Sequence, residues 1–191
     1  VRLELYWIPL GAGAQVVRRS GRCYEAMVAR RERRAPVPLF HSALIACSGG
    51  VRTVIEMTPV VDRFGPERRG VVAEGAVGSP WLGRWRLFRY EIRRWVGGEI
   101  PDLAHAVGGP VPISEDPAVV AHVLQSVAAV PTPVWGRDEL GTGEMWNSNS
   151  VISWVVVRAG VLSAAGSPPG GGRAPGWSAG IVVAGRRAGR E

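Results

Sequence analysis

The chain has 191 residues, 46% of them hydrophobic, and a formal net charge of +7, which suits one domain with an adequate core. No stretch approaches the roughly 20 continuous apolar residues of a bilayer-spanning helix, so no membrane span is expected. All 23 basic residues are arginine, a usage that points to GC-rich coding, and they fall in scattered groups (30–34, 68–69, 84–94, 186–190) outside any recognisable nucleic-acid motif, so nucleic acid is not the expected partner.

The two cysteines, Cys23 and Cys47, lie in no CxxC pair and near no His/Cys cluster of zinc spacing. Neither a metal nor a cofactor is expected, and both thiols read as free, buried small residues. The first residues, VRLELYWIPLGAGA, carry Glu4 early and lack a basic segment followed by an apolar run, so the expected address is cytoplasmic.

The segment LELYWIP alternates Leu3, Leu5 and Trp7 against Glu4 and Tyr6, the period of a half-buried strand. A hairpin around Ser20-Gly21 is expected next, followed by a helix over YEAMVARRERR with its basic end at the negative pole of the helix dipole, stopped by Ala35-Pro36-Val37-Pro38. LFHSALIAC and VRTVIEM are β-rich runs joined by Ser48-Gly49-Gly50, a strong hairpin signal that places His41 and Glu56 on paired strands.

Residues 58–69 read as a loop, and GVVAEGAV and RWRLFRYEIRRW as two further strands separated by Gly78-Ser79-Pro80. In the second of these the apolar set changes sides between Leu87 and Phe88, which predicts a bulge or a strong twist. Asp116-Pro117 is an N-cap and N1 pair for a helix with a stripe of Val119, Val120, Val123, Leu124 and Val127. VISWVVVRAG is apolar nearly all round and ends at Gly160, which predicts an interior helix. Its β-branched residues also allow a strand, and the polar cluster Asn147-Ser148-Asn149-Ser150 before it decides for helix. Residues 163–176 form a Gly/Pro connector, SAGIVVAG a final strand, and 186–191 a basic tail after a single domain of residues 1–185.

In chain order the sequence offers a His on a strand (His41 in LFHSALIA), an acid on its hairpin partner (Glu56 in TVIEM) and hydroxyls at the start of an interior helix (Ser148, with Ser150 in an alternative register). That order resembles the circularly permuted papain-like fold of the NlpC-like peptidase superfamily, including its lecithin:retinol acyltransferase-like and PPPDE groups, over roughly residues 38–157. The resemblance implies an α+β domain with a curved, mainly antiparallel sheet packed on a buried helix. It also implies hydrolysis or acyl transfer at an amide, thioester or ester bond of a small-molecule or peptide substrate. Ser148 would then be the nucleophile, His41 the base and Glu56 its orienting acid, while Asn147 or Asn149 caps the helix or helps hold the oxyanion. The family carries Cys where this chain has Ser148. A thiol at a helix start beside an imidazole becomes a thiolate, whereas a serine needs a base in contact and an oxyanion hole.

Each residue also has a plainer reading. Ser148 and Asn149 cap orphan N–H groups, His41 is a half-buried histidine, Glu56 is a solvated strand residue, and Trp146 and Trp154 are core. His105 and His122 receive no role. Two non-enzymatic classes therefore stand beside the enzyme: a papain-like binding module that has lost its thiol, and an arginine-rich binder of nucleic acid or anionic surfaces.

Overall fold

Leu3, Leu5 and Trp7 are buried on one face of β1 (Arg2–Pro9), which runs near one edge of the sheet. The computed structural model describes residues 1–12, 15–60 and 70–188, with side chains described for all of these except 15–22 and 187–188. The strands are β1, β2 (Phe40–Ser48), β3 (Val51–Pro59), β4 (Val71–Ala76), β5 (Arg89–Val96) and β6 (Val111–Ser114). They form one open sheet in the order β4-β5-β3-β2-β1-β6, with every pairing antiparallel. The β2–β3 hairpin closes through Gly49 and Gly50, whose φ values of 57° and 78° are those a two-residue hairpin turn of matching twist requires.

Helices α2 (Pro117–Ser126), α3 (Ser148–Arg158) and α4 (Trp177–Ala188) cover one sheet face, so the fold is α+β. The main core joins Leu5, Leu44, Ile55, Tyr90 and Ile92 of the sheet to Val123, Val151, Ile152 and Val155 of the helices. A smaller core on the other face packs Ile8, Ala43, Ile45 and Val54 against Ile100, with Leu103 beside it. Asp116 caps α2 by accepting from the Ala118 N–H at 2.8 Å, with Pro117 as the first helical residue. Ser148 through Val156 are all buried, so α3 is an interior helix. It ends in a Schellman arrangement, with Gly160 at φ 72° and the Val161 N–H reaching the Val156 carbonyl. Among the described residues no helix is long and apolar enough to cross a membrane.

Four expectations are corrected. Instead of a hairpin at Ser20-Gly21, one helix α1 runs through Gln15–Glu32, and the helix-forming residues on both sides outweigh the roughly 1 kcal/mol that an interior glycine costs. SAGIVVAG lies in α4, not in a strand. Its buried residues Ala179, Val183 and Ala184 recur at helical spacing, and packing on α3 overrides the β preference of Ile181, Val182 and Val183. Residues 81–88 are two 3₁₀ turns, so β5 begins only at Arg89, and the irregularity opposite it is a register shift in β4 between Val71 and Ala73. Cys23 is exposed and Cys47 half-buried, both free.

The basic tail is anchored where it begins, since Arg186 lies in α4 and donates to the carbonyls of Leu140 and Gly141 at 2.6 and 3.0 Å. Residues 189–191 of that tail, and 61–69 of the loop expected at 58–69, lie outside the described residues.

Gly180 sets how closely α3 and α4 approach, because a Cβ there would collide with the Ser150 carbonyl and the Ser153 hydroxyl. Gly180→Ala is therefore expected to lower stability by about 2–3 kcal/mol, the range of overpacking a tight interface, readable as a lower denaturant midpoint at unchanged slope.

Candidate active site

The start of α3 is built by hydrogen bonds. Asn147 is the N-cap, its side-chain oxygen accepting from the N–H groups of Asn149 (2.9 Å) and Ser150 (3.4 Å). The Ser150 hydroxyl accepts from the Asn147 N–H at 3.1 Å, which completes a capping box. Ser148 is the first helical residue, and among the described residues neither its N–H nor its hydroxyl has a hydrogen-bond partner. An unengaged N–H at the positive pole of a buried helix is a ready donor to an anion.

Asn149 fastens this helix start to β2. Its amide donates to the Phe40 carbonyl at 2.9 Å and accepts from the Ser42 hydroxyl at 2.8 Å, while also donating to the Pro175 carbonyl at 2.9 Å. Phe40 and Ser42 flank His41. The residue after Ser148 therefore holds both neighbours of His41, and His41 and Ser148 line the same two cavities.

The sheet is open at this place. Pairing of β1 with β2 continues to Pro9 opposite Phe40, and pairing of β3 with β5 to Pro59 opposite Tyr90, but β2 and β3 pair only from Leu44–Ile55 to the turn. Beyond that point the strands part. His41, Ser42 and Ala43 line one side of the gap and Glu56 to Pro59 the other. Ser148 reaches the gap from the helical layer, and Asp102 reaches it from the layer on the opposite sheet face. Two adjoining cavities of about 390 and about 370 Å³ meet here, sharing Leu10, His41, Trp135 and Ser148.

His41 Nε2 lies 2.9 Å from Asp102 Oδ2, and both side chains are half-buried. With Nε2–H donating to the carboxylate, Nδ1 is left as the basic nitrogen. Burial would raise the Asp102 carboxyl, but the hydrogen bond and charge of His41 outweigh it and hold the group below the usual carboxylate range.

The carboxylate that orients His41 is thus Asp102, not Glu56. Glu56 does line the cavity, but it sits opposite Arg93 in the β3–β5 register and makes a 3.5 Å ion pair with that guanidinium. Burial pushes the Glu56 carboxyl up, Arg93 opposes the rise, and the nearby Asp102 adds to it. Asp102 escaped sequence reasoning because it lies 61 residues from His41. Its only local signal is its place in Ile100-Pro101-Asp102-Leu103, a turn whose Ile100 and Leu103 pack on the smaller core.

The other named residues fall into structural roles. Ser150 is fully buried and donates to the Gly176 carbonyl at 2.7 Å, which removes it as an alternative nucleophile. The Asn149 amide spends both its N–H donors on the carbonyls of Phe40 and Pro175, so it has none left for an oxyanion, while the Asn147 amide donates to Pro175 at 2.8 Å and its oxygen caps α3. Trp146 and Trp154 are buried in the main core, whereas Trp135, to which no role was assigned, lines both cavities. His122 contacts the Arg158 carbonyl at 3.2 Å, away from the cavity. Among the described residues no group of three His, Cys, Asp or Glu side chains could hold a metal ion.

Asn149→Ala is expected to cost about 2–4 kcal/mol, because it orphans the Phe40 carbonyl and the Ser42 hydroxyl in a buried place. Chemical denaturation measures that loss. The same substitution frees β2 from α3, so reactivity at Ser148 should fall even where the variant remains folded.

Comparisons with protein-family models, with curated proteins and with solved structures returned no match. The functional reading therefore rests on the site itself.

Proposed function

We propose that this protein hydrolyses or transfers an acyl group at an amide, thioester or ester bond, with Ser148 as nucleophile, His41 as general base and Asp102 as the residue that positions His41. The observation that carries the reading is the double tie of Phe40 and Ser42 to Asn149 at a gap between two strands. It supports the reading because His41, hydrogen-bonded to Asp102, and Ser148, the first residue of α3, then line the same cavities. The gap, the helix beneath it and the His-bearing strand also support the likeness to permuted papain-like proteins.

In this mechanism His41 Nδ1 takes the Ser148 proton as Oγ attacks the carbonyl carbon. The Ser148 N–H and the α3 dipole stabilise the oxyanion. The tetrahedral species collapses as His41 returns the proton to the leaving group, giving acyl-Ser148. Water then releases a free acid, or another nucleophile accepts the acyl group, with His41 again acting as base.

A second reading, a binding module that retains the cleft but not the chemistry, is favoured by one observation. The Ser148 hydroxyl makes no hydrogen bond to His41, a contact that serine needs more than cysteine does. A fluorophosphonate probe separates the two, since stable phosphonylation mapped to the Ser148 peptide supports the enzyme and absence of labelling on folded protein supports the module. Ser148→Cys with iodoacetamide provides the companion measurement. Alkylation of the new thiol faster than that of exposed Cys23 is expected if the surroundings activate a nucleophile.

A further inference from the structure

The segment WLGRWRLFR, residues 81–89, takes no part in the cleft chemistry, yet it carries the densest apolar exposure among the described residues. Trp81 is 60%, Trp85 42%, Leu87 80% and Phe88 37% exposed. Single exposed hydrophobics are ordinary, but four within eight consecutive positions form a patch, which on a soluble surface marks an interaction site. The ridge is preformed. Its two 3₁₀ turns are closed by the Trp85 N–H to Leu82 and the Phe88 N–H to Trp85 carbonyl bonds (3.0 and 2.9 Å), and the Val77 N–H ties it to Phe88. Trp81 and Trp85 meet edge to face at 4.8 Å, and Phe88 lies 6.4 Å from Trp85.

The charge of the ridge is one-sided. It holds Arg84, Arg86 and Arg89 and no acidic residue, although Arg86 and Arg89 both have partners, Arg89 an ion pair with Glu74 of β4, which leaves the exposed positive face to Arg84. The Arg84 guanidinium sits 3.9 and 4.0 Å from the Trp81 and Trp85 ring centroids. This stacking decides between two anionic partners. A nucleic acid binds such a surface by stacking bases on indole faces, but here Arg84 already occupies a face of each indole. The most exposed side chain, Leu87, also has no use in base stacking. Tryptophan, phenylalanine and leucine beside arginine instead match the headgroup level of an anionic bilayer, where apolar bodies enter and guanidinium groups meet phosphate.

We propose that residues 81–89 form a peripheral anchor that docks this protein on anionic lipid surfaces. The anchor is independent of the chemistry at Ser148. It is joined to the cleft, however, through the Val77–Trp135 bridge and the Gly78 N–H to Trp135 carbonyl bond of 3.0 Å, and Trp135 lines both cavities.

The test is co-sedimentation of the full chain with vesicles of equimolar phosphatidylcholine and phosphatidylserine, against vesicles of phosphatidylcholine alone. Binding to the anionic vesicles is expected, weakened by added salt as the arginine term is screened. Leu87→Glu and the double variant Trp81→Ala/Leu87→Ala should each lower partitioning by about tenfold or more. Their melting temperatures should match the wild type, because these side chains are exposed. Val96→Glu, which alters an exposed valine (65%) elsewhere, should bind as the wild type does. Failure of the wild type to bind anionic vesicles overturns the proposal, as does unchanged binding by Leu87→Glu. Capture of a single-stranded oligonucleotide through these residues, with no vesicle binding, would replace the anchor with a nucleic-acid surface.

Discussion

Ser148→Ala is expected to abolish fluorophosphonate labelling, a loss of at least about 10³-fold, while the fold persists. The two halves of that expectation have separate causes. The hydroxyl is the only group the substitution removes, and because it has no hydrogen-bond partner among the described residues, its loss orphans no donor or acceptor there. The capping box depends on Asn147 and Ser150 and stays intact, so stability should change by no more than about 0.5 kcal/mol. Intact-mass spectrometry and a thermal melt on the same sample give both readings. If Ser148→Ala still labels at the wild-type rate, the nucleophile lies elsewhere and the acyl-transfer reading falls.

The second large effect separates the two carboxylates in the cleft. Asp102→Asn should slow labelling by about 10²- to 10⁴-fold, because a neutral amide no longer balances the imidazolium that forms as His41 takes the proton. Glu56→Gln should change the rate by less than about tenfold. Its carboxylate faces Arg93, and a glutamine can still accept from that guanidinium while removing a charge that burial disfavours. Labelling rates of the two variants decide the matter directly. A larger loss in Glu56→Gln than in Asp102→Asn would return the orienting role to the hairpin acid.

That contrast also shows what a linear chain discloses. The β2–β3 hairpin, the Asp116-Pro117 start of α2 and the capped interior helix α3 were legible because each rests on contacts within a few residues: paired glycines, a side-chain cap, an apolar stripe. Element order also placed His41 on a strand and Ser148 at a helix start, and both line the same cavities. Asp102 was not legible, since its role depends on a turn folding over the smaller core. Strand β6, four residues interrupted by Pro112, is too short to show a period, and it is defined by pairing with β1. The α4 segment reads as a strand by its β-branched run, and it is a helix because Ala179, Val183 and Ala184 bury at helical spacing on α3, which Gly180 lets approach closely. Ser20-Gly21 shows the converse error, a strong turn dipeptide carried along by the helix around it.

The Asn149 amide joins segments that are 109, 107 and 26 residues away along the chain. Such distant closures are made late in folding, after local helices and hairpins have formed. The full set of ties therefore cannot be completed on a nascent chain that has yet to emerge as far as Pro175. Reactivity at Ser148 would then report on how much of the chain is present: a molecule ending before Pro175 lacks both α4 and the carbonyl that the Asn149 amide reaches.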